Sequence, residues 1–358
     1  MNLPILLTVI IVSGMSTFIA IPYFIRFFSK INIIGTDQQK TGKPIIAQAG
    51  GIPVFFGFMI GVLTFIALNT YTNPLTTTTT GIHGLNLAVL FAALLSTSVI
   101  AIIGFFDDLN LRQERVSISS DSVDYRVGLT QWQKPLLTLV ASIPLIAVRA
   151  GTAAIALPLM GVVNLGPAYP LLLVPLAVVC VSNATNMLAG INGLEAGSTS
   201  VMLIAIGVFL LQQNSPEGAV IAFCAAAALL AFLKYNWFPA KIFPGDSLTY
   251  FAGAAIVSSI VIGNAEKLGM LLFIPWIIEA LLKLRGRFKV RSYGDLQRDG
   301  TIKAPYDKIY SLTHVVMKIP RWLKLKRGFT EKQIAIILIA AEILLAIFVL
   351  VFYNYFKY

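Results

Sequence analysis

Residues 183–195 read NATNMLAGINGLE and fall at the end of an uncharged run covering residues 150–194. Three asparagines and a glutamate are costly there, because an amide or carboxylate in hydrocarbon must find a partner. Other polar groups occupy comparable places. GFFDDLNLR sets Asp107 and Asp108 side by side after residues 44–106, a 63-residue run without Asp, Glu, Lys or Arg. QWQKP brings Lys134 to the start of one apolar segment, and KYNWFPAKIFPGDS delivers Asp246 to the start of another. Taken singly, each has an ordinary reading: a solvated helix end, a snorkelling anchor, a helix N-cap. Together they gather carboxylates, carboxamides and a lysine from segments remote in sequence. Hard oxygen donors of this kind suit Mg²⁺, which takes one or two protein ligands and completes its shell with phosphate oxygens and water. Phosphoryl transfer asks chiefly for positioning and charge neutralisation. The glycines of LAGING and PGDS let the backbone approach a flat ring closely. With no Walker-type loop, no HExxH and no Ser-His-Asp pattern, the residues point to an enzyme acting on a phosphate or diphosphate at a membrane surface.

The elements that must position these groups are membrane spans. The chain has 358 residues, is 57% hydrophobic and only 12% charged, with mean hydropathy +0.81. Soluble domains carry about twice that charged fraction. The pattern predicts an all-α polytopic membrane protein, one integral domain over residues 1–358, with ten spans at about 3–26, 50–68, 86–106, 134–149, 168–188, 196–213, 217–234, 247–263, 267–284 and 332–356. The first apolar run lacks a signal-peptide cleavage pattern. Residues 150–167 are too broken by Gly and Pro for a helix and read as a short hairpin outside the membrane. The threonine run near 76–80 reads as a short loop, His83 is given no role, and Cys180 and Cys224 read as small buried hydrophobes. Loops 26–49, 107–133, 189–195, 235–246 and 285–331, with the adjoining helix ends, hold 24 of the 27 Lys and Arg. The positive-inside rule therefore places these loops in the cytoplasm and both termini outside. Every polar cluster named above then falls on the cytoplasmic side. Residues 283–327 alone carry thirteen basic and three acidic residues, +10 of the formal net charge of +11. They form a polybasic surface against anionic headgroups, a cationic wall for an anionic substrate, or both, with Arg285 and Arg287 facing a site.

NATNMLAGINGLEAG, YNWFPAKIFPGDSLTYFAG and GFFDDLNLR resemble the signature segments of the polyprenyl-phosphate N-acetylhexosamine-1-phosphate transferases, glycosyltransferase family 4. The resemblance runs from the first cytoplasmic loop to the ninth span and is nearest to the dolichyl-phosphate N-acetylglucosamine branch with its archaeal members. It implies transfer of N-acetylglucosamine 1-phosphate from UDP-N-acetylglucosamine to a polyprenyl or dolichyl phosphate, releasing UMP, as the first step of lipid-linked glycan assembly for protein N-glycosylation. By motif, Asn186 and Asp246 would bind Mg²⁺, with Mn²⁺ as a substitute, and Lys134 would contact phosphate. Asn192 would hydrogen-bond a uracil lying between Gly190 and Phe243. Asp107 and Asp108 would form the aspartate pair near the acceptor phosphate, and Asn183 would support the site. The muramoyl-pentapeptide branch has a DGLDGL-type run where this chain has AGINGL, which favours the N-acetylglucosamine donor. The resemblance implies a multi-pass protein of a cell membrane, archaeal rather than endoplasmic reticulum, with membrane lipids as neighbours, no nucleic acid among its partners, and a homodimer left open.

Three departures stand out. Ala47 occupies the place of a glutamate of the eukaryotic enzymes. The charged stretch 112–131 (RQERVSISSDSVDYRVGLTQ) is long, and reads as a helical extension or a flexible flap. Arg285-Gly286-Arg287 is the counterpart of an Arg-His-Arg run, with His314 as a candidate replacement for the histidine. A transporter is the rival class, but transporter sites lie near the midplane between repeated halves. Here the polar groups sit at one edge, and the chain shows no internal repeat.

Overall fold

The computed structural model describes residues 2–72, 77–78, 81–82, 85–109, 112–118, 121–127, 129–130, 132–157 and 161–353. His83 lies outside them. The chain is a helical bundle: α1 (Leu3–Lys30), α2 (Gly51–Thr72), α3 (Leu87–Asp108), α4 (Gln133–Val140), α5 (Ile143–Ala147), α6 (Val174–Thr185), α7 (Leu194–Gln212), α8 (Pro216–Asn236), α9 (Gly245–Gly263), α10 (Glu266–Leu272), α11 (Ile274–Arg285), α12 (Leu312–Trp322) and α13 (Glu331–Phe352). Among the described residues strands occur only as two-stranded antiparallel pairs. They are β1 (Ile34–Thr36) with β2 (Ile45–Ala47), β3 (Thr77–Thr78) with β4 (Gly81–Ile82), β5 (Arg112–Ile118) with β6 (Asp121–Val127), β7 (Ala154–Leu157) with β8 (Gly161–Asn164), and β9 (Asp295–Leu296) with β10 (Ile302–Lys303).

Among the described residues seven helices, α1, α2, α3, α7, α8, α9 and α13, are long and apolar enough to cross a membrane. The other three expected spans are helical but shorter and interrupted. Residues 134–149 divide into α4 and α5, where Pro144 opens the second piece. Residues 168–188 become a single π turn, Tyr169–Leu173, running into α6, with Pro170 and Pro175 near the two starts. Residues 267–284 break at Phe273, ahead of Pro275 in the first turn of α11. A proline lacks the N–H that would continue the ladder, so each break falls where the chain offers one. Residues 150–167 do contain a hairpin, β7–β8. The helical extension expected over 112–131 is corrected: β5 and β6 pair from Arg112↔Val127 to Ile118↔Asp121 as a ribbon. Its Val, Ile and Tyr content favours a pleated strand over a helix.

Small residues let the helices approach closely, as expected where apolar burial gives no drive between helices in lipid. Ser13 of α1 donates to the carbonyl of Cys224 in α8 at 2.7 Å. Gly57 and Gly61 of α2 leave room for Thr17 and Ser13. Close approaches to the backbone gather at the start of α9. A Cβ at Gly51 would stand 2.1 Å from Leu248 N, and one at Gly104 would stand 2.6 Å from Asp246 O. α9 is buried along nearly its whole length, and its first turn carries Asp246.

Candidate active site

Asp107 and Asp108 end α3, but adjacent positions on a helix point about 100° apart, and the two carboxylates enter different surroundings. Asp108 is 1% exposed. Its Oδ1 accepts the Asp246 N–H at 2.8 Å and the Gln48 amide at 3.2 Å, and its Oδ2 accepts the Ser247 N–H at 3.0 Å. It thereby caps α9 from outside, where Pro244 at the N-cap position offers no side-chain cap. A carboxylate is favoured at a helix N-terminus by the free amides and the helix dipole. Gly245 makes this possible: its φ is +70°, and a Cβ there would stand 2.3 Å from Asp108 Oδ2.

Asp107 faces the other way. Its Oδ2 accepts from Lys134 Nζ at 2.5 Å, and its Oδ1 accepts the Leu129 N–H. The same ammonium donates to Asp246 Oδ2 at 2.8 Å. One cation thus ties α3, α4 and α9 together and offsets the repulsion between two carboxylates. Asn183 steadies the wall, donating to Thr138 Oγ1 at 3.2 Å and joining α6 to α4. Of these groups Lys134 and Asn183 line a cavity of about 340 Å³, with Asn186, Gly190, Tyr250 and Lys283 among its other walls. Asp246 carries a carboxylate and Asn186 an amide oxygen, the hard donor types that suit Mg²⁺.

A second cavity of about 170 Å³ adjoins it, with Gly190 and Tyr293 shared between the two. Asp37, Gln39, Asn192 and Phe243 line it. Gly190 has φ +96°, a left-handed conformation that favours glycine. Its N–H donates to Glu195 at 2.8 Å, and its carbonyl accepts from Gln39 Nε2 at 2.6 Å. Asn192 donates its backbone N–H to Glu331 at 2.9 Å and its side-chain amide to Asp37 at 3.0 Å. Phe243 lies against Gly35, where a Cβ would come within 2.8 Å of the ring. Its N–H donates to the carbonyl of Ala47 at 2.8 Å. The position where a glutamate was expected therefore contributes through its backbone, holding Phe243 at the cavity wall.

The sequence model described as "Glycosyl transferase family 4" matches residues 90–264. A protein of Saccharolobus solfataricus is 33% identical over 341 residues, which cover 94% of this chain and 94% of that one. The chain belongs to glycosyl transferase family 4. The Saccharolobus relative is provisionally named a UDP-N-acetylglucosamine–dolichyl-phosphate N-acetylglucosaminephosphotransferase. A Dictyostelium discoideum protein with that name, without the proviso, is 27% identical over 318 residues, 78% of this chain and 71% of its own. The phospho-N-acetylmuramoyl-pentapeptide-transferase of Streptococcus mutans is 31% identical over 284 residues, 76% of this chain and 78% of its own.

The matched segment of this family 4 chain holds Asp107, Asp108, Lys134, Asn183, Asn186, Gly190, Asn192, Phe243 and Asp246. The structure draws in others that the sequence reading missed. Asp37 and Gln39 lie in the first loop, in GTDQQK, whose spacing to Asn192 carries no signal. Lys283 could have been found: it stands two and four residues before Arg285 and Arg287, the two arginines that were singled out. Those arginines are exposed and line neither cavity; Arg285 lies 5.8 Å over the Tyr310 ring.

His314 is fully buried in α12, with its ring against Tyr306 and its Nδ1 accepting the Tyr310 N–H at 3.4 Å. It too lines neither cavity. Burial, with the charge of Lys283 nearby, pushes its pKa from 6.5 down to about 4. The folded ring stays neutral while the unfolded one takes a proton, so its contribution to stability is complete above pH 6.5 and lost as pH falls toward 4. Replacing His314 with glutamine should therefore flatten the fall of the melting temperature between pH 6.5 and 4. It should leave the pH–rate profile between 6 and 8 unchanged, and a changed profile would place His314 in the chemistry.

Proposed function

We propose that the chain transfers N-acetylglucosamine 1-phosphate from UDP-N-acetylglucosamine to a polyprenyl phosphate of the dolichyl class, giving polyprenyl-diphosphate-N-acetylglucosamine and UMP, the opening step of lipid-linked glycan assembly. The observation that carries this reading is the junction at Gly190. A narrow, glycine- and phenylalanine-walled cavity sized for a nucleobase opens into a larger one that carries Lys134 beside Asp107 and Asp246. The names of the relatives supply the donor and the acceptor.

The reaction balances without a cofactor in the redox sense. An oxygen of the lipid phosphate attacks the sugar-bearing phosphorus, a new P–O–P link forms, and the bond to the bridging oxygen of UMP breaks. A phosphate monoester is mostly dianionic at pH 7, since its second pKa is about 6, so a general base has little to remove. Asp246 and Asn186 fit Mg²⁺ by their donor chemistry, with diphosphate oxygens and water completing the shell. When bound, the ion would neutralise charge developing on the diphosphate. Asp107 has both oxygens engaged, by the Leu129 N–H and by Lys134; it is a positioning group that aims the ammonium. Asn192 and Phe243 hold the base.

This reading sets ten crossings, the seven long helices plus the three interrupted segments, with the site on the cytoplasmic face and both termini outside. The concentration of Lys and Arg in the corresponding loops supports that orientation. A cell membrane of archaeal type is the proposed location. The muramoyl donor is the second reading, favoured by the Streptococcus relative; AGINGL in place of the DGLDGL-type run speaks against it.

Purified protein in detergent should release UMP from UDP-N-acetylglucosamine when given polyprenyl phosphate and Mg²⁺, and should cease when the metal is chelated. Equal turnover of UDP-muramoyl-pentapeptide would move the chain to the other branch, and no UMP from either donor would remove the assignment. In that assay Asp107→Asn should cost about a hundredfold, the scale of a misplaced catalytic group, equally at pH 6 and pH 8. A loss confined to pH 6 would make Asp107 a general base.

A further inference from the structure

The orientation of the Asn192 amide is settled by its neighbour. Asn192 Nδ2 stands 3.0 Å from Asp37 Oδ2, and both side chains are buried. A carboxylate has lone pairs and no hydrogens to offer. The other groups around Asp37 are donors as well: the Gln39 N–H reaches its Oδ1 at 3.4 Å, and the Lys40 ammonium lies 3.2 Å from its Oδ2. Every partner of Asp37 gives a hydrogen, so the amide must turn its nitrogen toward Asp37, and its oxygen remains as the acceptor for anything in the cavity. The backbone beneath is held too, since the Asn192 N–H donates to Glu331, which is itself paired with Lys40. The backbone groups of Gly190 are taken by Glu195 and Gln39, and so do not compete for a base edge.

We propose that Asp37 determines the base specificity of this cavity by locking the amide of Asn192 with its oxygen presented, which selects a pyrimidine bearing hydrogen on N3, uracil, over one bearing a lone pair there, cytosine. This rests on the reading of the cavity as the nucleotide subsite. An asparagine alone does not discriminate. Its oxygen can face a uracil N3–H while its nitrogen donates to a neighbouring carbonyl. Rotated by 180°, the same amide offers nitrogen to the cytosine N3 and oxygen to the cytosine amino group. The two orientations differ only by a turn about the terminal torsion. An acceptor-only neighbour removes the second. Asp37 is thus a positioning residue that acts through Asn192, and it lies in the first loop, outside the segment matched by the family.

The sharp variant is Asp37→Leu, which branches as aspartate does but accepts no hydrogen bond, so that nothing holds the Asn192 nitrogen and its amide can turn. An asparagine would not serve, because Lys40, 3.2 Å from Asp37 Oδ2, would keep an oxygen facing Asn192. Binding of UMP and CMP to the purified protein is measured by calorimetry. Wild type should prefer UMP, and the folded fraction of Asp37→Leu should compress the preference by about tenfold or more, with CMP binding gaining relative to UMP binding. A variant that weakens both nucleotides equally and keeps the wild-type ratio would overturn the proposal, because a purely structural role acts on both alike. The contact to the Asn192 oxygen that the lock presents is also read without any substitution: 3-methyluridine 5′-monophosphate, which lacks the N3–H, should bind wild type at least about tenfold more weakly than UMP, and equal binding would overturn the proposal. Wild type that binds UMP and CMP equally would remove the uracil reading itself, and this proposal with it.

Discussion

Asp108 stands at the end of α3 with its carboxylate against the first free amides of α9, buried and bonded to two of them. A buried carboxylate without partners would be among the most costly groups in the chain, and the start of a helix without a cap leaves amides unmet. Each deficit satisfies the other. The contact forms only if α3 and α9 approach closely, which is what Gly104 and Gly245 allow. Once α9 is held there, Asp246 has one place to be, and Lys134 can bridge it to Asp107. The cavity wall, the ammonium and the proposed metal ligands all inherit their positions from this junction.

The second cavity depends on a separate buried network. Lys40 joins Asp37 to Glu331, Glu331 holds the backbone of Asn192, and Asp37 holds its side chain. The three acidic or amide groups come from the first loop, from the turn after α6 and from the start of α13. A polar network of this kind is stabilising only when every member is satisfied. Its rigidity is what a selective subsite needs.

Much of this was legible beforehand, for identifiable reasons. Long uncharged runs in lipid favour apolar helices, so the helical character of the bundle was visible, while the hairpins inside two of those runs were harder to place. Charged groups at the helix ends were visible as a cluster because charge is costly in hydrocarbon. The division of labour between Asp107 and Asp108 was not legible, since it depends on which way each side chain leaves α3 relative to α9. The breaks at Pro144, Pro170 and Pro275 were written in the sequence, yet hydropathy reads through them. The ribbon at 112–127 was missed because its charges looked like those of a solvated helix, while its alternation of Val, Ile and Tyr with polar residues is that of paired strands. Asp37 had no pattern to announce it: a lone aspartate in a polar loop gains its meaning only from Asn192, 155 residues away.

Of the three carboxylates, Asp108 builds the site and Asp107 and Asp246 serve it, and the most direct test measures melting temperature and UMP release together for Asp108→Asn and Asp246→Asn. Asp108→Asn should lower both, because an amide cannot accept from two backbone N–H groups with both of its terminal atoms. Asp246→Asn should abolish turnover while leaving the melting temperature at or above that of wild type, since it removes one of two neighbouring like charges and no helix cap. An Asp108→Asn protein that melts normally but is inactive, or an Asp246→Asn protein that turns over at the wild-type rate, would contradict this division of roles.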